Sequence, residues 1–376
     1  MSADAAPFPV MSIAQCDALM TSPGAKFEME EKVINGIRLR TYKHAPQTLR
    51  DVIFNSKQWD FREYLVFEDE RVTYAAHYKA VARLARRLRD DFGVQKGDRV
   101  AVVMRNYPQW AVGFWAALAI GAIATPLNSW WTGEELEYGL ADSGAKVAIV
   151  DPEKLERIRD HLPKLTQLKT VLVARGGDDE ADPRIVSLEK LIGPAKAWAS
   201  LPDADIPAVE LDPDDDATIM YTSGTTGKPK GALATHRAII SNVFNGMACQ
   251  SRHFVRQGQS PPVRDPLKDP PRIPLLAIPF FHATGAFSNL VPAIMNADKI
   301  VTMYKWEPGE ALAIIEREKI TMIGGVPAIA WQVLEHPDRD KFDLSSIQFV
   351  AYGGAPSAPE LVATIKRRFP NGLASN

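Results

Sequence analysis

The sequence predicts an α/β fold of two subdomains, each with a mostly parallel sheet flanked by helices. Three observations lead there. From about residue 99 onward, short β-branched runs alternate with helix-like segments. The runs are continuously apolar, as strands covered on both faces are. The 376 residues also exceed the roughly 250–300 over which a single core keeps growing.

In chain order, residues 79–92 read as a helix with Val81, Leu84, Ala85 and Leu88 on one face. Arg83, Arg86, Arg87 and Arg89 lie off that face, which suits a core-facing helix with a basic outer side better than membrane contact. RVAVVM at 99–104 is a strand, 109–120 a helix and 122–127 a strand again. Thr132 precedes Glu134, Glu135 and Glu137, acids that favour a helix N-terminus, so 132–143 is helical. Strand 146–151, helix 152–162 and strand 170–174 follow. The turn-rich GGDDEADPR at 176–184 marks an edge of the first subdomain.

A second series has strands at 217–221, 231–235, 273–278, 299–303, 321–325 and 348–352. Helices fill 237–249, 283–295, 310–317, 327–334 and 359–369. Residues 256–272, rich in Pro and charge, form a long surface loop. The expected division is an N-terminal extension at 1–60 packing on the core, a first α/β subdomain at 61–210 and a second at 211–376. Ligand is expected where the two meet, beyond the strand ends.

Composition narrows the function. Hydrophobic content of 46% and charged content of 24% suit a globular protein. A net charge of −2 offers no basic excess for nucleic acid. Cys16 and Cys249 form no disulfide framework or metal spacing, and the N-terminus lacks a secretory pattern, so a cytoplasmic protein is expected. The uncharged stretch 110–126 is too short and too interrupted by Gly113, Gly121 and Pro126 to cross a bilayer, so no transmembrane segment is expected. The acidic runs 178–182 and 212–216 read as solvated loops rather than metal sites.

The segment YTSGTTGKPKG at 221–231 carries the chemistry. It joins two apolar strands. Gly224 and Gly227 permit positive φ and let a ligand approach the backbone. Successive amides in such a turn form an anion site. Thr222, Ser223, Thr225 and Thr226 add hydroxyls, while Lys228 and Lys230 add positive charge. These parts hold a polyphosphate, and the competing reading is a flexible turn without a ligand. The Walker A spacing is absent, since Gly224 stands three positions before Gly227 and Pro229 follows Lys228.

This segment resembles the phosphate-binding signature of the adenylate-forming superfamily of acyl-CoA synthetases, luciferases and peptide-synthetase adenylation domains. Gly97-Asp98-Arg99-Val100 with Asn106, GAIATPLN at 121–128, PFFHATG at 279–285 and GGAP at 353–356 resemble further family blocks, in order. The resemblance runs from about residue 65 to Asn376 and is nearest to fatty-acyl-CoA ligases. It implies ATP-dependent activation of a carboxylic acid to acyl-AMP, followed by transfer to CoA. The family's next signature, the ribose-binding Asp and the C-terminal lid domain with its Lys are absent from this sequence. The resemblance therefore implies a fragment inactive by itself, with the Mg²⁺ ligand expected after Asn376.

By the same resemblance, Ser223, Thr225, Thr226 and Lys230 contact the β- and γ-phosphates, within a nucleotide loop of Thr222–Lys230 that includes Gly224, Gly227 and Lys228. Gly353, Gly354, Ala355 and Pro356 lie against the adenine, with Tyr352 stacking on it. His282, otherwise an ordinary structural histidine, stands beside the carboxylate and α-phosphate. Thr226, Lys230 and His282 are the catalytic candidates. His236 opens a helix, where capping or packing is the alternative to function. An acyl wall of Phe281, Ala283, Gly285, Phe287, Gly325 and Val326 is apolar and small, and His282 joins it as a substrate-binding candidate. His282 stands where amino-acid-activating relatives carry an acid, which disfavours an α-amino acid. Fatty acid is the first expectation and an aromatic acid the second; a binding module without catalysis is the alternative class. The partners expected are the acid, ATP and CoA, with a homodimer open. The loop 223–230 is expected to be mobile without ATP.

Overall fold

The computed structural model describes residues 10–179, 181–222, 227–353, 358–369 and 373–375. The first nine strands are β1 Met29–Ile34, β2 Ile37–Tyr42, β3 Glu63–Phe67, β4 Glu70–Thr73, β5 Arg99–Val103, β6 Ile123–Pro126, β7 Val147–Val150, β8 Thr170–Val173 and β9 Ile185–Ser187. They continue as β10 Asp216–Thr222, β11 Lys230–Thr235, β12 Pro274–Leu276, β13 Ile300–Thr302, β14 Met322–Gly325, β15 Phe349–Tyr352 and β16 Leu373–Ser375.

Two seven-stranded sheets result, in the orders β11-β10-β6-β5-β7-β8-β9 and β16-β15-β14-β12-β13-β3-β4, beside the hairpin β1-β2. Every neighbouring pair in the large sheets is parallel except the edge pairs β10–β11 and β3–β4. The expected α/β class with mostly parallel sheets is what the chain adopts.

Sheet membership does not follow the chain. β10 and β11, beyond residue 210, close the edge of the first sheet, whereas β3 joins the second through Ile300↔Leu65, Val301↔Val66 and Thr302↔Phe67. Tyr64, Leu65, Val66 and Phe67 are all buried, and apolar strand edges of this kind pair wherever the exposed ladder is, regardless of sequence distance.

Helices Tyr74–Asp90 and Pro108–Ala119 contribute many residues to the main core, with Trp110, Phe114 and Trp115 wholly buried. The uncharged stretch 110–126 is thus a buried helix running into β6. No helix among the described residues is long and apolar enough to cross a membrane. The arginines of Tyr74–Asp90 are not merely solvated. Arg83 Nε donates to the Leu191 carbonyl at 2.6 Å and Arg86 Nε to the Asp205 carbonyl at 2.8 Å, hooking residues 188–205 onto the helix.

The loop 256–272 is anchored by Arg264, which donates to the Asn296 carbonyl at 2.9 Å and pairs with Asp298 at 2.5 Å. The acidic run 212–216 folds into a turn in which Asp214 pairs with Arg237, and Asp178 and Asp179 pair with Lys190 and Arg159. Among the described residues, no three His, Cys, Asp or Glu side chains converge to hold a metal.

Candidate functional site

β10 and β11 form an antiparallel hairpin with register Thr222↔Lys230, so Thr222 and Lys230 mark its tip. Because β10 runs parallel to β6, that tip stands at the carboxyl end of the first sheet. Gly227 has φ +102° with open space where a Cβ would be, a conformation other residues avoid. Thr222, Gly227, Lys228 and Lys230 are exposed. Ser223, Gly224, Thr225 and Thr226 lie outside the described residues, and with them the expectation of mobility.

Helix Gly133–Ser143 grips both arms of this hairpin. It starts at Thr132, whose hydroxyl accepts from Glu135 N–H while the Glu135 carboxylate accepts in return, a reciprocal cap. One helical turn apart, Tyr138 and Asp142 face the hairpin. Tyr138 donates its hydroxyl to the Pro229 carbonyl at 3.0 Å, and the Lys228 ammonium sits 5.1 Å from the centre of its ring. Tyr221 donates to Asp142 at 2.7 Å. Burial, then that carboxylate, pushes the Tyr221 phenol above its usual range.

The second component follows β12. Asn106, just past β5 of the other sheet, brackets the backbone here. Its amide donates to the Ile278 carbonyl at 3.0 Å and accepts from Phe280 N–H at 2.8 Å. Phe280 is fully buried against Trp110, with ring centres 5.1 Å apart. His282 caps the short helix Ala283–Gly285, its Nδ1 accepting from Thr284 N–H at 3.2 Å. An acceptor at Nδ1 places the proton of the neutral ring on Nε2, and His282 is exposed. An exposed imidazole whose Nε2 carries the proton suits donation to an anion.

Adjacent tryptophans connect the two components. Trp131 meets Tyr221 edge-on at 5.9 Å, and Trp130 meets Phe281 edge-on at 5.2 Å. Between the sheets, at their carboxyl ends, a cavity of about 420 Å³ is lined by Arg105, Asn106, Ser129, Trp130, Tyr304 and Lys305 among others. The Arg105 guanidinium lies 5.2 Å from the Tyr304 ring centre, and its buried Nε has no partner among the described residues.

Several sequence expectations shift. In the register Leu276↔Gly324↔Ala351, Gly324 meets nothing within 4 Å of an ideal Cβ, whereas Gly325 points its Cβ direction at Ile329, 3.0 Å away. The open glycine on this strand is therefore Gly324. Gly325 instead makes room for its own following helix. Val326 is 44% exposed, and Ala283 is exposed as well. Phe281 and Phe287 are half-buried. Gly285 is buried because its hydrogen lies against the Pro279 carbonyl. Gly353 is open and donates to the Gly325 carbonyl at 3.1 Å; Gly354, Ala355 and Pro356 lie outside the described residues. Tyr352 packs into the core of the second sheet with Leu361 and Ile365, on the opposite face from Ala351, which turns its ring away from the open side of Gly324. His236 is buried and accepts from Leu49 N–H at 3.2 Å; burial lowers its pKa to about 4. Packing is its role.

Sequence reasoning missed Asn106 as a site residue, as well as Tyr138 and Trp130. Asn106 follows the GDRV segment in the sequence, but only the fold brings it beside residues 278–280.

Two mostly parallel sheets, with a glycine–lysine hairpin and a histidine loop at neighbouring strand ends, define an adenylate-forming α/β domain. The chain belongs to the AMP-binding enzyme family, whose model matches residues 55–375. It is 31% identical over 290 residues to 4-coumarate–CoA ligase 2 of Oryza sativa subsp. japonica, covering 75% of this chain and 48% of that protein. It is 32% identical over 303 residues to a feruloyl-CoA synthase of an Amycolatopsis species, covering 81% and 52%. Among solved structures, the Mycobacterium tuberculosis fatty acyl CoA synthetase superposes with a TM-score of 0.71 at 25% identity, covering 87% of this chain and 58% of that one. The chain spans about half the length of the curated relatives it matches.

Proposed function

We propose that this chain carries the nucleotide- and acid-binding half of an enzyme that activates a carboxylic acid with ATP. The acid attacks the α-phosphorus, giving acyl-AMP and pyrophosphate, and CoA then takes the acyl group. The observation that supports this best is the convergence of the 221–231 hairpin and the His282 loop, joined through Trp130 and Trp131.

Both first-step reactants are anions, so fixed donors and positive charge must offset their repulsion. In this reading Ser223, Thr225, Thr226 and Lys230 hold the β- and γ-phosphates, with Thr222, Gly224, Gly227 and Lys228 shaping the turn. His282 donates from Nε2 to the carboxylate or α-phosphate. Gly353 to Pro356 border the adenine, and the open side of Gly324 and Ala351 leaves room for the acid. Arg105 and Lys305, flanked by Trp130 and Tyr304, suit the phosphates and base of CoA.

Fatty acid remains the first substrate reading, because an apolar pocket bordered by Phe281, Gly324 and Ala351 can reward each buried methylene by about 0.8 kcal/mol. An aromatic acid is the second, favoured by relatives named for 4-coumarate and ferulate at 31% and 32% identity. The test is acid-dependent ATP–pyrophosphate exchange by the complete gene product across fatty and hydroxycinnamic acids. Lys230→Ala should slow exchange about 100-fold with a responsive acid, the size expected for a lost transition-state donor. A complete protein that exchanges with no acid, or a Lys230→Ala variant at the wild-type rate, would remove this reading.

A further inference from the structure

We propose that Asn106 is a positioning residue for the acid-activation step, setting the place of His282 from the opposite sheet; this rests on the function proposed above. Asn106 is 8% exposed and uses its whole amide on one segment. Nδ2 donates to the Ile278 carbonyl and Oδ1 accepts from Phe280 N–H. Its own carbonyl accepts from the Thr302 hydroxyl at 2.9 Å, so β5 of the first sheet is tied to both β12 and β13 of the second.

The segment needs such a tie. Past Leu276, β12 has ended, and residues 277–282 no longer have ladder hydrogen bonds to hold them. Inside that span the Asn106 amide supplies a donor and an acceptor two residues apart, as a neighbouring strand would. His282 follows Phe280 by two residues, and its N–H donates to the Pro279 carbonyl at 3.1 Å. The amide therefore fixes the backbone on which the imidazole stands. Aspartate has the same shape, but as a carboxylate it keeps only the acceptor half and sets an oxygen against the Ile278 carbonyl. An asparagine at this point is required by chemistry, not by volume.

Displacing a reacting group by about 1 Å costs on the order of 100-fold in rate. In the complete gene product, Asn106→Asp and Asn106→Ala should lower kcat for acid-dependent exchange about 10- to 100-fold, with the ATP KM within about twofold. In a His282→Ala background the same substitutions should cost little more, because the group they position is gone. Asn106→Asp, matched in shape, keeps the test usable if the alanine variant does not fold. Wild-type kcat in Asn106→Asp, or losses that multiply fully with His282→Ala, would overturn the proposal while exchange by the wild type left the broader function standing. Absence of exchange by the wild type would instead strike the function itself.

Discussion

An ideal Cβ on Gly285 would lie 2.1 Å from the Pro279 carbonyl oxygen, a backbone atom that cannot swing aside. Gly285→Ala should therefore destabilise the protein by about 1–3 kcal/mol, the usual cost of overpacking, seen as a lower denaturation midpoint. His77 makes a demand of another kind. It is fully buried beside Tyr64, neither ring nitrogen has a partner among the described residues, and burial lowers its pKa to about 3. Its ordinary pKa is 6.5, so the unfolded chain takes up the proton first as the solution is acidified. Above pH 6.5 its titration makes no difference to stability. Between pH 6.5 and about 3 it removes about 1.4 kcal/mol of stability per pH unit, and below that the loss levels off. Denaturant titrations over this range should show a shallower acid slope in His77→Phe than in wild type; equal slopes would contradict the assignment.

Among the elements, the β10–β11 hairpin depends on a helix that precedes it by some 70 positions, Gly133–Ser143. Tyr138 holds the exit arm through the Pro229 carbonyl, and Asp142 holds the entry arm through Tyr221. A neutral hydrogen bond contributes about 0.5–1.5 kcal/mol. Tyr138→Phe keeps the ring under Lys228 and removes only that bond, so the ATP KM should rise about 2- to 10-fold with little change in thermal midpoint. Initial-rate exchange kinetics check this, and an unchanged KM would release the helix from any part in nucleotide binding.

Across the whole molecule, β3–β4 is held to the second sheet by charge as well as by ladder bonds. Glu318 is nearly buried and accepts from Lys299 at 2.9 Å and Arg71 at 2.6 Å, while Lys299 also pairs with Glu63 at 2.8 Å. Burial works against the Glu318 carboxylate, yet those donors hold its pKa down to about 2. Glu318→Ala leaves Lys299, itself 8% exposed, without its better-buried partner. The expected cost is about 3 kcal/mol, as when one member of a buried pair is removed, and equilibrium unfolding measures it. Arg71 and Glu63 come from residues 63–73, so the loss should also loosen that edge, readable as faster amide exchange in β4.

The α/β class, most strand and helix positions from residue 99 onward and the glycine- and lysine-bearing hairpin at 221–231 were legible in the sequence. They depend on local chemistry: apolar runs, first-turn acids such as Glu134 and Glu135, and glycines with lysines packed into eleven residues. The exchange of β3 and β10 between sheets, the choice of Gly324 over Gly325 and the inward turn of Tyr352 were not legible. Nor was the reach of Asn106 to residues 278–280. Those follow from which strand edge is free and which face of a strand meets a helix, and such facts exist only once segments a hundred or more residues apart are packed. Local pattern determined what this chain could bind with. Tertiary packing decided which side chains stand together to do it, because burial and hydrogen-bond satisfaction act on neighbours in space, not in sequence.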